Sequence, residues 1–564
     1  MQSSEEKIPS ISGRNPNGYV SKIILCLVIV VAVALRASCL ECVSGYDEIG
    51  AISTIIEARE QGMQDLYKSL ALKAANIPNS TWIIDAFIAN IDFVIVPIRW
   101  TYAISLYPLI AATIQETDDY SILKLKGLIP FVLLNCIGYM LLVTLVQKIY
   151  KTINFTIFFA LITGLGIEFV YWSRTATPYS LLTIGYAVQL LVLYNINKQY
   201  KLGALSSLAN RYLVAYGVWL SVPTILNYQF ALTMPGLVLV CALLFKNATL
   251  STKQSLLLTL PSILVAAGSF LFITARGRLT GKHINPGVNS LSSGQSGEYV
   301  FSNHSGSLSE IIKYYLNNSA EIAGYILNPI QISKNAVIAI GSITLIALFL
   351  AFIHSAGSKA ARKGPDIYLV YSISIILVFY SLVPLGLMTL SPTRHTLFLA
   401  VPLLMLIGSR VAAFVTTSRS NKFGSIILGI LSIGITFYNF ESYFKDPDPT
   451  DPLRIISIAK NVNPDFLMAG PCVQAPMMIH QLKVQYVLSY KCGEIAFNRP
   501  KAKSGKFLFY TDYRLSQTDE MKYIRGFFAS DVEIVLTEEI KELDAAVPSL
   551  GNNVVYKVYA FANN

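Results

Sequence analysis

From Tyr19 onward the chain is a succession of apolar stretches, near 19–40, 127–147, 153–172, 179–196, 211–227, 229–246, 255–275, 335–354, 367–389, 396–415 and 423–440. Each approaches the roughly 20 residues that a helix needs to cross a hydrocarbon core about 30 Å thick. A chain cannot bury that many apolar helices in one soluble core. The pattern therefore predicts a mainly α integral membrane protein with about eleven transmembrane helices. Composition agrees: only 14% of residues are charged, against about 25% in a typical soluble domain. The formal charge of +11 would suggest nucleic acid in a soluble protein. Here the lysines and arginines fall in short loops between apolar stretches, where they set topology, and a nucleic-acid partner is excluded.

The loops fix an orientation. Lys7, Arg14 and Lys22 hold the N-terminus inside, and Lys148/Lys151, Lys198/Lys201/Arg211, Lys246/Lys253, Lys359/Arg362/Lys363 and Arg419/Lys422 then all fall on the same side. This agreement requires that 92–115 does not cross. That stretch is apolar but interrupted by Pro97, Arg99 and Pro108, so it is expected to be half-buried or re-entrant, which leaves Lys124 and Lys126 on the outer side. The first stretch has no small-x-small exit and reads as an anchored helix rather than a cleaved signal. The expected organisation is a disordered cytoplasmic lead (1–18), a transmembrane domain (19–440) with outer loops at 41–120 and 276–334, and an outer C-terminal α/β domain (441–564). The lipid bilayer is thus the first partner, and a multi-pass protein of a bacterial inner membrane the expected localisation, its active site facing the periplasm or exterior, with the endoplasmic reticulum as the alternative.

The outer segments differ in character. Residues 51–75 have the period of helices lying on the membrane. Residues 276–300 are Gly/Ser-rich, and 307–327 continue as an amphipathic helix suited to a lid. The linker DPDPTD (446–451) leads to strand-like runs, DFLMAG, VQYVLSY, KFLFYTD, VEIVL and NVVYKVYAFA, alternating with helical stretches such as MKYIRGFF. Cys39, Cys42, Cys472 and Cys492 lie on the outer side, where two disulfides or four free thiols are equally compatible with the sequence.

Just beyond the first apolar stretch stand two adjacent carboxylates, Asp47 and Glu48. A carboxylate at the water–lipid boundary suits a base that deprotonates an acceptor attacking a substrate with a polar head and a buried tail. The same pair also suits capping of a helix that begins at Ile49. An Arg at the end of the first helix followed by aromatic-Asp-Glu resembles the GT-C superfamily of polyprenyl-phosphate-dependent glycosyltransferases, in the branch of protein O-mannosyltransferases and lipid A aminoarabinose transferases. Phe169–Thr183 (FVYWSRTATPYSLLT) is similar to the aromatic-Ser-x-x-x-Arg-Pro-Tyr signature of that branch. Ser391–Leu406 (SPTRHTLFLAVPLLML) resembles its later Arg-bearing outer turn. The signature's Arg before Pro-Tyr is Thr177 here, and the nearest guanidinium is Arg174, about one helical turn earlier.

The resemblance implies a GT-C fold and inverting transfer of a sugar from a polyprenyl phosphate to a glycan, lipid or protein acceptor. Asp47 would be the base, with Glu48 orienting it or touching the sugar. Arg394, Arg174, Tyr179 and His395 would bind the donor phosphate, whose developing charge guanidinium groups stabilise through paired hydrogen bonds. Snorkelling to the headgroups is the plainer role for both arginines. Glu168, inside an apolar stretch where a carboxyl is costly, would pair with an arginine or line the pocket. Arg276 and Lys282 would flank the loop as further pocket cations. The polyprenyl-phosphate sugar is a substrate and no cofactor is implied; no metal is expected, because the sequence resembles the metal-independent branch of the superfamily more, and no His/Cys/Asp spacing reads as a structural zinc site. A transporter or flippase and a polysaccharide ligase are the alternatives. Transporters carry internal repeats and midplane breaks, and no repeat is visible.

Overall fold

The computed structural model describes residues 17–38, 40, 52, 55–56, 59, 110–246, 250–279, 301, 306–330, 332–356, 366–384, 388–393, 396–414, 418–444, 452–469, 475–489, 493–496, 504–510, 517–528, 532–543 and 553–563. The larger, N-terminal part is helical. It comprises α1 (Asn17–Ala37), α2 (Tyr120–Tyr150), α3 (Ile153–Leu165), α4 (Ile167–Ser173), α5 (Leu182–Lys201), α6 (Asn210–Leu226) and α7 (Met234–Lys246). These are followed by α8 (Thr252–Leu279), α9 (Leu308–Leu327), α10 (Lys334–Ala356), α11 (Ile367–Leu382), α12 (Ala400–Phe414), α13 (Ser418–Tyr438) and α14 (Phe440–Tyr443). Short 3-10 turns at Pro178–Leu181, Tyr228–Thr233 and Thr396–Leu399 lead into α5, α7 and α12.

All eleven apolar stretches are helical, but helical is not the same as spanning. Among the described residues three helices are long and apolar enough to cross a membrane: Tyr19–Ala37, Ser121–Tyr150 and Pro178–Lys201. A fourth is counted if α3 and α4, bent by 58° at their junction, form one crossing. The expected figure of about eleven is not reached on length. Helix α11 has 16 residues and α12 has 15, because the apolar pattern runs on through 3-10 turns and loop ends that add hydropathy without adding helix.

Helix directions follow from contacts at the two ends of the bundle. At one end Ser425 Oγ donates to Ser21 Oγ at 2.8 Å and also bonds Asn154 Oδ1. At the other, Arg36 donates to Gly164 O at 2.8 Å and Tyr443 Oη to Leu165 O at 2.6 Å. Thus α1, α3 and α13 run parallel. Helix α2 turns back into α3 through the left-handed residue Lys151 (φ 56°) and is antiparallel to them, so the chain leaving α1 re-enters the bundle from the end at which it left. Of the half-buried element expected at 92–115, residues 92–109 lie outside the described residues, as do Asp446–Asp451; its end is described, with Ile110, Ala111 and Ile114 buried.

Helix α2 has 31 residues, about 46 Å at 1.5 Å per residue, well beyond a ~30 Å core. Its first turns stand clear of the bundle, which accounts for the two lysines that fitted the loop topology poorly. Lys126 Nζ lies 2.7 Å from Asp118 Oδ2 and donates to Thr113 O at 2.7 Å, and Lys124 is buried. Ile52, Ile55, Ile56 and Arg59 are helical, at the spacing of one face, and the three isoleucines are buried. Ile52 and Ile55 come within 3.8 Å of a Cβ built at Gly127.

The lid-like helix is a docked element. Helix α9 begins with an N-cap: Ser307 Oγ accepts from the Glu310 amide at 3.3 Å, and the Glu310 carboxylate lies in the first turn. Its C-terminal half packs backbone to backbone on α10, where a Cβ at Gly341 would collide with Ala320 O and one at Gly324 with Val337 O. Helix α8 continues through Arg276 to Leu279, so the loop begins later than expected.

The C-terminal unit contains α15 (Pro452–Val462), β1 (Phe466–Ala469), α16 (Ala475–Leu482), β2 (Tyr486–Ser489), β3 (Gly493–Ala496), β4 (Ser504–Tyr510), α17 (Gln517–Arg525), β5 (Val532–Leu543) and β6 (Asn553–Asn563). Its six strands form one sheet in the order β3-β2-β1-β4-β6-β5. Strand β1 is parallel to β2 and β4, and the other pairings are antiparallel. One face joins Leu467, Val487 and Leu508 in a cluster with Ile110, Ile114 and Leu123. Gln481 Nε2 to Asp118 O (3.1 Å) and Lys483 Nζ to Glu116 O (2.8 Å) complete this seam to the helical part.

Candidate functional site

The site is built around the 58° bend between α3 and α4. Gly166 leaves the helical region there (φ −61°, ψ 132°) and ends α3 inside the protein. A helix end leaves its last four carbonyls without intrahelical partners, and a buried one must find others. All four do. Ile162 O accepts from Gly166 N at 3.2 Å, Thr163 O from Arg36 Nη2 at 2.6 Å, Gly164 O from Arg36 Nη1 at 2.8 Å, and Leu165 O from the Tyr443 hydroxyl at 2.6 Å.

Arg36 is fully buried. Its Nε donates to Asn135 Oδ1 at 2.9 Å, and its guanidinium carbon lies 4.5 Å from the Tyr139 ring centroid. The acceptors it uses are neutral. Asn135 passes the connection on, donating to Ser180 O at 2.5 Å in the 3-10 turn that carries Tyr179. A chain of hydrogen bonds therefore runs from the end of α1 through α2 to the segment 169–183.

Arg174, at the C-cap of α4, is also buried; its Nη2 donates to Tyr443 O at 2.5 Å and its Nη1 to Ser38 O at 3.5 Å. Tyr443 thus serves both sides of the bend, its hydroxyl closing α3 and its carbonyl receiving Arg174 at the end of α4. Tyr179 is half-buried, edge-on to Trp172 with centroids 5.5 Å apart. Glu168 hydrogen-bonds the side chain of Tyr325. Glu168, expected to pair with an arginine or to line the pocket, thus ties α4 to the docked helix α9.

The stretches 169–183 and 391–406 meet. Tyr186 Oη donates to Phe398 O at 2.6 Å, and the rings of Tyr186, Phe230 and Phe398 pack with centroids 4.9–5.4 Å apart. Between them lies a narrow crevice lined by Asn135, Thr163, Trp172, Tyr179, Tyr186 and Leu397. At its margin Thr396 N donates to Thr393 O at 2.9 Å, across the interval occupied by Arg394 and His395. Arg394, His395, Asp47, Glu48 and Lys282 lie outside the described residues, as does the side chain of Arg276 and as do Cys39, Cys42, Cys472 and Cys492.

Sequence reasoning missed Asn135 and Tyr443, and took Arg36 only as a landmark. A lone Asn within an apolar stretch was the available signal, because polar side chains in such helices bond neighbouring helices. Tyr443 carried no signal, being one aromatic among many. Among the described residues no group of His, Cys, Asp or Glu is arranged to hold a metal ion.

No protein-family model matches this chain, and no curated protein matches it significantly.

Proposed function

We propose that the protein is a membrane glycosyltransferase of GT-C type, with about eleven crossings, that moves a sugar from a polyprenyl monophosphate to an extracytoplasmic acceptor. The observation that carries this reading is convergence. The 169–183 segment and the 391–406 segment are far apart in sequence, yet they line one crevice, and the end of α1 is tied to its wall by the hydrogen bond from Arg36 to Asn135. The parallel course of α1 and α13 supports an odd number of crossings between and including them.

In this reading Asp47, nine residues beyond Ser38, takes the acceptor's proton as it attacks the anomeric carbon. The C–O bond to the phosphate breaks with inversion, and the leaving phosphate keeps the bonding pair. Arg394, with His395 and Tyr179, receives that charge. Arg174 contributes by position: its hydrogen bond to Ser38 O fixes the chain end from which the Asp47 segment departs. Arg36 holds the bend on which Trp172 and Tyr179 are mounted.

The test is turnover of a radiolabelled polyprenyl-monophosphate sugar by protein reconstituted in vesicles. Wild type releases or transfers the label, and Asp47→Asn, folded and normally inserted, does neither. Full turnover by that variant removes Asp47 from the mechanism, and an inert wild type removes the reading.

A further inference from the structure

The 3-10 turn Pro178–Leu181 carries Tyr179 to the crevice, and two buried carboxamides hold that turn. Asn135 Nδ2, from α2, donates to Ser180 O at 2.5 Å. Asn227 Nδ2, at the C-cap of α6, donates to Pro178 O at 3.2 Å. Both asparagines are almost wholly buried, at 3% and 1% exposure.

The two are wired alike. Each uses its Oδ1 to accept from a group away from the turn: Asn135 from Arg36 Nε at 2.9 Å, and Asn227 from the Gln229 amide at 2.9 Å. A guanidinium nitrogen and a backbone amide can only donate. Chemistry therefore fixes which way each carboxamide points, with its Nδ2 toward a carbonyl of the turn.

Bonds inside the turn do a different job. The Ser180 amide and hydroxyl both donate to Thr177 O, at 3.1 and 2.7 Å, and the Leu182 amide donates to Tyr179 O. These shape the turn without orienting it against other helices, which is what bonds from α2 and α6 achieve. The packing leaves little room to reseat. A Cβ at Gly138, three residues after Asn135, would collide with Ile184 N, and one at Gly185 with the Phe230 ring.

We propose that Asn135 and Asn227 are positioning residues for Tyr179, clamping its turn so that the side chain stays edge-on to Trp172 at the crevice. The proposal rests on the sugar-transfer reading, in which Tyr179 helps to receive the charge of the leaving phosphate. A group with that task is sensitive to placement, since a shift of ~1 Å costs on the order of 100-fold in rate.

Aspartate is the informative replacement at both positions. It has the size of asparagine and keeps each acceptor role, but it sets an oxygen against Ser180 O or Pro178 O where a donor stood.

Two measurements on the full chain in nanodiscs test the clamp. The first places 3-fluorotyrosine at position 179 and records its fluorine resonance, which needs no turnover. A single narrow line is expected, broadened or split by Asn135→Asp and by Asn227→Asp. Thr183→Val removes a bond to the backbone carbonyl of Asn135 but leaves the carboxamide in place, so the line stays narrow. The second is turnover of a polyprenyl-monophosphate sugar in a double-mutant cycle. Asn135→Asp lowers kcat about 10–100-fold with KM changed less than about three-fold, and added to Tyr179→Phe it lowers kcat no further. Asn227→Asp carries the same two measurements if Asn135→Asp fails to fold. A line unchanged by the aspartate variants, one broadened equally by Thr183→Val, or kcat losses that add across Asn135 and Tyr179 each overturns the proposal. An inert wild type overturns the sugar-transfer reading instead, and the fluorine line alone then decides whether the carboxamides hold Tyr179.

Discussion

Replacing Tyr443 by Phe removes one hydroxyl whose hydrogen bond closes the buried end of α3. Leu165 O, its acceptor at 2.6 Å, is one of the four terminal carbonyls of α3 and has no helical amide to fall back on. Stranding a buried acceptor costs about 1–3 kcal/mol. Tyr139→Phe is the matched control. Its hydroxyl donates to Ala160 O at 2.9 Å, but Ala160 lies inside α3, where the amide of Gly164 already serves that carbonyl, so only the ordinary net value of about 1 kcal/mol or less is lost. Both tyrosines are buried, at 1% and 0% exposure, so burial does not separate them. The assay is thermal unfolding in detergent, followed by a thiol-reactive dye at the buried Cys136 and Cys241. Tyr443→Phe should lower the transition by several degrees and Tyr139→Phe by clearly less. Equal shifts, or the larger shift for Tyr139→Phe, refute the reasoning that the bend is held by capping its orphaned carbonyls.

Other consequences are equally specific. Burial opposes ionisation of Asp118, but the Gln115 amide, the Lys126 ammonium and His480 outweigh it and hold the carboxyl below its ordinary value of 3.8. A depressed carboxyl contributes stability that is complete above its unfolded value and lost as pH falls through the folded one. The seam between α2 and the C-terminal sheet should therefore loosen only below about pH 4. Asp118→Asn should cost about 0.5–1 kcal/mol at pH 7 and flatten that acid limb, as read by limited proteolysis of the C-terminal unit across pH. Gly341→Ala forces a methyl against Ala320 O; overpacking of this kind costs about 1–3 kcal/mol or more. Amide exchange in α9 should rise in that variant while exchange in α1–α3 stays unchanged. Tyr325→Phe removes the Glu168 hydrogen bond, and should raise exchange at the C-terminal end of α9 without unfolding the bundle.

Element identity was largely legible because apolar period and length are local properties. All eleven apolar stretches are helices, the 307–327 segment is a capped helix, and five of six strands coincide with the runs expected. Strand β3 reads GEIA, with a Gly and a Glu beside one bulky apolar residue and so no apolar run to see, and β5 extends past VEIVL into the charged stretch TEEIKEL, which reads as surface until β6 pairs with it. The bend at Gly166 was hidden because apolar sequence continues through it. The site was legible at the level of segments and not of roles. Sequence placed Arg174 near its neighbours, but whether a guanidinium faces a pocket or a carbonyl depends on the helix that arrives from 269 residues away. For the same reason Glu168, expected to pair with an arginine or to line the pocket, meets Tyr325 in the fold.

The central claim is that a lipid monophosphate sugar is bound where α1, 169–183 and 391–406 converge. A polyprenyl-monophosphate sugar carrying a photoreactive group beside the phosphate tests it directly, with the labelled peptides mapped after irradiation in vesicles. The account predicts cross-links within 169–183 and 391–406, suppressed by excess polyprenyl monophosphate and hardly at all by the diphosphate. Cross-links confined to other segments, or unaffected by the monophosphate, would contradict it.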